Sequence, residues 1–292
     1  MNSWQSIISH IEQASSRPFR DYSHRSISGG SINAAYLLES AGQRYFVKTN
    51  RSGMLDMFEA EARGLNEMSA SDSIRVPKAL CWGDDGTHSY IVLEYLDLSG
   101  RADQAQLGMQ LADMHAVMSD AFGWHIDNTI GDTPQPNEYS NDWVQFWRDQ
   151  RLGFQLQLAG ENGYGGEVLS LGEKLLLQMP ILFEGHDVEP SMLHGDLWGG
   201  NVAGLPDGTP VIFDPAFYYG DREADLAMTY LFGGFGPDFY ASYQNVSPLD
   251  EGFALRKTFY NTYHILNHMN MFGGGYRNQA VNMMQSVLAE IS

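Results

Sequence analysis

The dominant hydrophobic period of this 292-residue chain shifts from strand-like to helical near residue 100, and that shift limits the fold more than any other feature. Up to Leu96 the apolar residues fall mainly into short strand-like runs; beyond about 103 they recur at helical spacing. A short helix over 3–14 opens the chain, with Trp4, Ile7, Ile8 and Ile11 on one face. Strand-like runs at 34–38 and 45–47 follow, parted by Ala41-Gly42-Gln43. A helix over 54–69 comes next, then runs at 79–83 and 89–95 around the hairpin signal Asp84-Asp85-Gly86. The remainder reads as helices at 104–118, 141–159, 167–179 and most of 251–291, interrupted by short apolar strands at 191–194 and 211–213. This order predicts an α+β chain of two lobes: a small β-rich N-lobe over 1–96 and a larger helical C-lobe over 97–292.

Composition excludes several functions. The net charge of −19 argues against a nucleic-acid partner, because a phosphate backbone demands a basic face. No apolar run approaches the roughly 20 residues of a membrane helix. The N-terminus lacks a basic segment followed by an apolar core, and the one cysteine, Cys81, can form neither an internal disulfide nor a Cys-rich metal site. These features point to a soluble, cytoplasmic protein without membrane partners. With only 17 Lys and Arg residues, the placement of each cation is informative.

The strongest local signal is His194-Gly195-Asp196-Leu197-Trp198-Gly199-Gly200-Asn201. An Asp and an Asn five apart, after a short apolar strand, resemble the catalytic loop of kinases. Asp196 would accept the proton of an attacking hydroxyl, and Asn201 would turn back to hold a magnesium ion on nucleotide phosphates. Thirteen residues later, Asp214 of Ile212-Phe213-Asp214-Pro215 fits a second metal ligand. Each of these residues alone could be a turn former or a helix cap; the ordered set on strand, loop and strand is much more specific.

An independent test lies upstream. A kinase needs a strand Lys for the α- and β-phosphates and a helix Glu to orient it. Phe46-Val47-Lys48 ends an apolar strand. Of Glu59, Glu61 and Glu67, only Glu61 shares the apolar stripe of Met57, Leu65 and Met68. A carboxylate on a buried face is costly unless paired, and Lys48 is its natural partner. Gly29, Gly30 and Ser31 lie where a phosphate-covering loop belongs, although the run matches no standard glycine-rich signature. Glu94, Tyr95 and Leu96 enter the inter-lobe linker, whose backbone would hydrogen-bond adenine.

Taken together, these runs resemble the fructosamine (ketosamine) kinase family, bacterial members in particular. The likeness extends along nearly the whole chain: Gly29 to Asn33, Phe46 to Asn50, Phe58-Glu59-Ala60-Glu61-Ala62, Leu111 to His115, Phe122-Gly123-Trp124, the Asp196 loop, Asp214-Pro215-Ala216, and Gly220-Asp221-Arg222-Glu223-Ala224-Asp225-Leu226-Ala227. Trp198 and the 220–227 run are specific to that family rather than to kinases at large. The resemblance implies a protein-kinase-like bilobal fold shared with aminoglycoside and choline kinases. It implies ATP and Mg2+ as cosubstrate and cofactor. It also implies phosphorylation of a ketosamine sugar, free or protein-bound, at its third hydroxyl, as in protein deglycation. Trp198 would be a substrate platform, and Asp225 would accept backbone hydrogen bonds that fix the loop of Asp196.

Two rivals remain: a kinase of this fold acting on an aminoglycoside, choline or another alcohol, and a nucleotide-binding module without activity. Trp198 and the 220–227 run speak against the first; Lys48, Asp196, Asn201 and Asp214 speak against the second. His264 and His268, four apart on a helix, lack the intervening Glu of a metalloprotease and read as helix-face histidines. His115 is expected beneath the catalytic loop, Cys81 as a buried thiol, and the aromatic content of the last helices as core.

Overall fold

A computed structural model describes residues 3–27 and 32–291. The chain divides into two compact units, Met1–Asp103 with Ala203–Pro215, and Gln104–Val202 with Ala216–Ser292. The first unit thus extends past Leu96 and takes back a later segment. No helix among the described residues is long and apolar enough to cross a membrane.

The first unit opens with α1 (Ser3–Ser15), β1 (Ser23–Ile27), β2 (Ala34–Ser40) and β3 (Gln43–Arg51), and continues with α2 (Leu55–Ala70), β4 (Ala79–Asp84) and β5 (His88–Glu94). The five strands form an antiparallel sheet in the order β1-β2-β3-β5-β4. Ile7, Ile8 and Ile11 of α1 pack with Leu38, Val47, Cys81 and Val92 of the sheet, so α1 covers one face. Strand side chains alternate between faces. Val47 therefore enters that cluster while Lys48, the next residue, points the other way, where it meets α2. The turn into α2 is pinned by Asp84, whose carboxylate accepts hydrogen bonds from the Gly53 and Gly86 amides and from the Ser52 and Ser89 hydroxyls. Those donors hold the Asp84 carboxyl well below the usual carboxylate range.

The second unit begins with α3 (Gln104–His115), β6 (Asn128–Ile130), β7 (Thr133–Gln135) and α4 (Trp143–Trp147). A π-helical turn over Arg148–Leu152 joins α4 to α5 (Gly153–Glu161), and α6 (Glu167–Gln178) and β8 (Ser191–Leu193) follow. A hairpin of β9 (Val202–Gly204) and β10 (Pro210–Ile212) leads into the first unit. The chain then closes the second unit with β11 (Tyr218–Gly220), α7 (Arg222–Thr229), α8 (Pro237–Val246), α9 (Phe253–Phe272) and α10 (Tyr276–Glu290). β8 pairs antiparallel with β11. Trp147, Phe259, Tyr260 and Tyr263 pack together in the helical core. Gly108 of α3 lets α8 approach closely; a Cβ there would stand 2.3 Å from the Phe239 carbonyl oxygen.

Candidate active site

In the first unit the sequence brings one cation between two carboxylates. Lys48 Nζ donates to Glu61 Oε1 at 2.7 Å and to Asp214 Oδ1 at 2.5 Å. Lys48 and Glu61 are almost wholly enclosed, whereas the Asp214 side chain is 45% exposed. Burial alone would push the Lys48 ammonium down, but the Asp214 and Glu61 carboxylates outweigh it and hold the group above its ordinary range. Burial likewise favours a neutral Glu61, and the Lys48 ammonium opposes that by holding the carboxylate as an ion-pair partner. Glu59, by contrast, pairs with exposed Arg63 along its own helix.

Asp214 reaches this position through the hairpin that follows β8. Arg75 bridges to Val211 in parallel, and its carbonyl accepts from the Ile212 amide at 3.0 Å, tying β10 to the first unit. Asp214 then takes φ +58°, the left-handed region that non-glycine residues rarely adopt. Such a conformation costs on the order of 1–3 kcal/mol and persists where surrounding structure fixes it.

In the second unit the loop after β8 carries Asp196 and Asn201. Asn201 Nδ2 donates to the Asp196 carbonyl at 2.8 Å and to its carboxylate at 3.1 Å. A 3-10 turn over Gly199–Asn201 closes the loop, with the Asn201 amide donating to the Trp198 carbonyl. Beneath it sits Asp225, 1% exposed, which accepts from the His194 and Gly195 amides at 2.7 Å each. His115 Nε2 lies 3.2 Å from the same carboxylate, and His115 Nδ1 lies 2.8 Å from the Tyr243 hydroxyl. A carboxylate only accepts, so Nε2–H donates to Asp225, and the Tyr243 oxygen that meets Nδ1 also accepts from Arg222. Burial would raise the Asp225 carboxyl, but its hydrogen bond to His115 and its other donors hold it below the usual range. The placements expected for His115 and Asp225 are both present.

Two glycines shape this loop. Gly195 takes φ +83°, and a Cβ there would stand 1.9 Å from the Ala216 carbonyl oxygen. A Cβ on Gly200 would stand 2.3 Å from the Trp198 ring, so the indole lies directly over its own loop. Trp198 is 39% exposed, so its ring is not part of the core.

The other expected positions fall as follows. Gly29, Gly30 and Ser31 lie outside the described residues. Beyond them, Asn33 Oδ1 accepts from Asn50 at 2.8 Å, tying the start of the hairpin to the end of β3. Glu94 ends β5; its amide donates to the Lys78 carbonyl and its carboxylate pairs with Arg75 at 2.6 Å. Tyr95 lies under the Arg44 guanidinium, and Leu96 is half-buried. Cys81 is buried, and burial pushes its thiol up to about 12.

The 220–227 run is largely structural. Asp221 caps α7 by accepting from the Glu223 amide, and its carboxylate also accepts from the Tyr260 hydroxyl. Glu223 forms a bidentate buried pair with Arg256. Arg151, fully buried, is sandwiched between Phe146 and Tyr218 and donates to the Pro136 carbonyl and Asn137. An Arg in a helical pattern reads as surface, and no local spacing marks this one as buried.

A sequence model of the fructosamine kinase family matches residues 3–290. A probable ketoamine kinase of Synechocystis is 46% identical over 289 residues, covering 98% of this chain and 97% of that protein. The chloroplastic protein-ribulosamine 3-kinase of Arabidopsis thaliana is 45% identical over 267 residues, covering 90% of this chain and 82% of its own. A solved putative fructosamine-3-kinase of Haemophilus somnus superposes with a TM-score of 0.89 at 29% identity, covering 98% of this chain and 97% of the other. At the level of fold alone, choline kinase of Streptococcus pneumoniae aligns over 100% of this chain and 99% of its own, with a TM-score of 0.63 at 14% identity. The fold is thus the α+β, kinase-like one, and the chain belongs to the fructosamine kinase family.

Proposed function

We propose that this protein transfers the γ-phosphoryl group of ATP to a sugar hydroxyl of a ketosamine, O3 in particular, with Asp196 as the base. The observation that carries the reading is the Lys48–Glu61–Asp214 cluster. A buried Lys–Glu pair beside a half-exposed Asp supplies the oriented ammonium and the metal-ligand carboxylate that ATP-dependent phosphoryl transfer uses. The names of the relatives, ketoamine kinase and ribulosamine 3-kinase, supply the substrate class.

The residues suit a magnesium ion, which favours oxygen ligands. Asn201 spends its amide nitrogen on Asp196, which leaves its carbonyl oxygen to offer. Asp214 presents a half-exposed carboxylate with one oxygen on Lys48. Asn201 and Asp214 would hold the ion, which when bound offsets phosphate charge.

In this mechanism Lys48, oriented by Glu61, fixes the α- and β-phosphates. Gly29, Gly30 and Ser31 cover the phosphates, and the backbone at Glu94, Tyr95 and Leu96 takes the adenine. Trp198 supports the substrate with its exposed face. Asp196 orients the sugar hydroxyl and accepts its proton as the new O–P bond forms and ADP departs. Positioning and electrostatics supply most of the acceleration. The reading requires the Lys48–Asp214 pair and the Asp196–Asn201 pair to face the same bound ATP.

A panel of ketosamines, aminoglycosides and choline, read by ADP release with the product position assigned by NMR, tests it. Turnover of ketosamines, lost in Asp196→Ala while ATP binding is kept, is the expected result. Turnover confined to aminoglycosides or choline, or near-normal turnover by Asp196→Ala, would overturn it.

A further inference from the structure

The aromatic rings of the C-terminal helices are not all core. Phe272 is 58% exposed and Phe232 is 40% exposed. They belong to one continuous set of rings that starts at Trp198. The Trp198 and Phe232 rings meet edge to face at 6.0 Å, Phe232 lies 4.9 Å from His268, and His268 lies 5.7 Å from Phe272 and 5.2 Å from Tyr276. All five side chains lie in the second unit.

The start of this ledge is built into the catalytic loop. A Cβ on Gly199 would stand 2.7 Å from the Gly233 carbonyl oxygen, and one on Gly234 would stand 2.8 Å from the Gly199 Cα. Two glycines face to face thus allow the 232–236 loop to touch the loop of Asp196, which sets Phe232 beside Trp198. At the far end, Phe272 and Tyr276 flank Gly273-Gly274-Gly275, and Gly273 and Gly274 take positive φ. The His268 Nδ1–H donates to the His264 carbonyl at 2.8 Å. Burial pushes its imidazole below the usual histidine range, so the ledge presents uncharged rings near neutral pH.

Resting on the ketosamine reading above, we propose that Phe232, Phe272 and Tyr276, joined to Trp198 through His268, form the subsite for the amine substituent of the substrate, and that it favours aromatic substituents. A ketosamine joins a sugar to a secondary amine. With the sugar hydroxyl at Asp196, the exposed Trp198 ring of the same loop offers the amine side a surface to run along. A protonated amine suits both ring faces and a protein of net charge −19. An aryl group beyond it has exposed edges and faces to stack on.

The test uses two probes, the fructose adducts of methylamine and of 2-phenylethylamine. Dissociation constants are measured by calorimetry and kcat/KM by ADP release. Two added ring contacts predict a preference for the phenylethyl adduct of roughly tenfold in the wild type. Phe272→Ala, at an exposed position, should reduce the preference to less than about threefold, and Phe272→Tyr should keep it. Equal binding of both adducts by the wild type, or an unchanged preference in Phe272→Ala, overturns the subsite. If both adducts are turned over without preference, the kinase reading stands and the subsite falls. If the binding preference is present but neither adduct is phosphorylated, the subsite stands and the kinase reading falls.

Discussion

Asp225→Asn tests how the fold positions its proposed base. The carboxylate accepts two backbone amides at 2.7 Å and the His115 Nε2–H at 3.2 Å, all in a site that is 1% exposed. Hydrogen bonds to a charged group are worth about 1.5–3 kcal/mol each, and a buried donor left without a partner costs about 1–3 kcal/mol. An asparagine has one acceptor oxygen, and its amide must face at least one of those three donors. The variant should therefore lose about 3–5 kcal/mol of stability, seen as an earlier urea midpoint for the second unit. The freed amides belong to His194 and Gly195, immediately before Asp196. A displacement of about 1 Å there predicts a kcat roughly 100-fold lower. ATP affinity should change little, because Lys48 and Asp214 belong to the other unit. The assays are circular dichroism in urea and a coupled ADP-release assay. A variant with the wild-type midpoint and a kcat within about twofold would refute the reasoning.

Two further predictions follow from buried charge. Lys48→Met should lower kcat/KM for ATP on the order of 100-fold or more, and should destabilise the protein by leaving Glu61 buried without its partner. Lys48→Met with Glu61→Leu should recover the stability but not the activity; recovery of both would remove Lys48 from the chemistry. His264 is enclosed in α9, and burial lowers its imidazole from 6.5 to about 3. The unfolded chain takes up this proton below about pH 6.5 and the folded one does not until about 3, so stability falls as pH drops through that window. By pH 5 its contribution to the loss is about 2 kcal/mol, and His264→Leu should reduce the difference between urea titrations at pH 7 and pH 5 by about that amount; an unchanged difference would contradict it.

The residues read most clearly from sequence were those whose chemistry conflicts with their surroundings. Glu61 on an apolar helix stripe needed a cation, and Lys48 on the facing strand is that cation. For Asp225 the family resemblance implied a carboxylate that accepts backbone hydrogen bonds beneath the loop of Asp196, and it accepts from the His194 and Gly195 amides. Where pattern and environment agree only over long distances, the reading failed. β1 shows no alternation, because four of its five residues are exposed and only pairing with β2 makes it a strand. β6, β7, β9 and β11 are three-residue strands, too short to carry a period. The helical spacing over 141–159 and over most of 251–291 is borne out, but it did not show the π-helical turn at Arg148–Leu152 or the division of the last stretch into α9 and α10 at Gly273-Gly274-Gly275. The aromatic residues of the last helices read as core, yet Phe272 faces solvent at the end of α9, where helical periodicity no longer separates the two.

The most direct measurement is a crystal structure with Mg2+, a non-hydrolysable ATP analogue and a ketosamine. The account predicts a metal about 2.0–2.1 Å from both Asn201 Oδ1 and an Asp214 carboxylate oxygen. It also predicts Lys48 Nζ on the α- and β-phosphates and an Asp196 oxygen about 2.6–3.2 Å from the sugar hydroxyl that faces the γ-phosphate. A bound nucleotide whose γ-phosphate lies beyond the reach of that hydroxyl, with Asp196 contacting neither the hydroxyl nor a water between them, would contradict it.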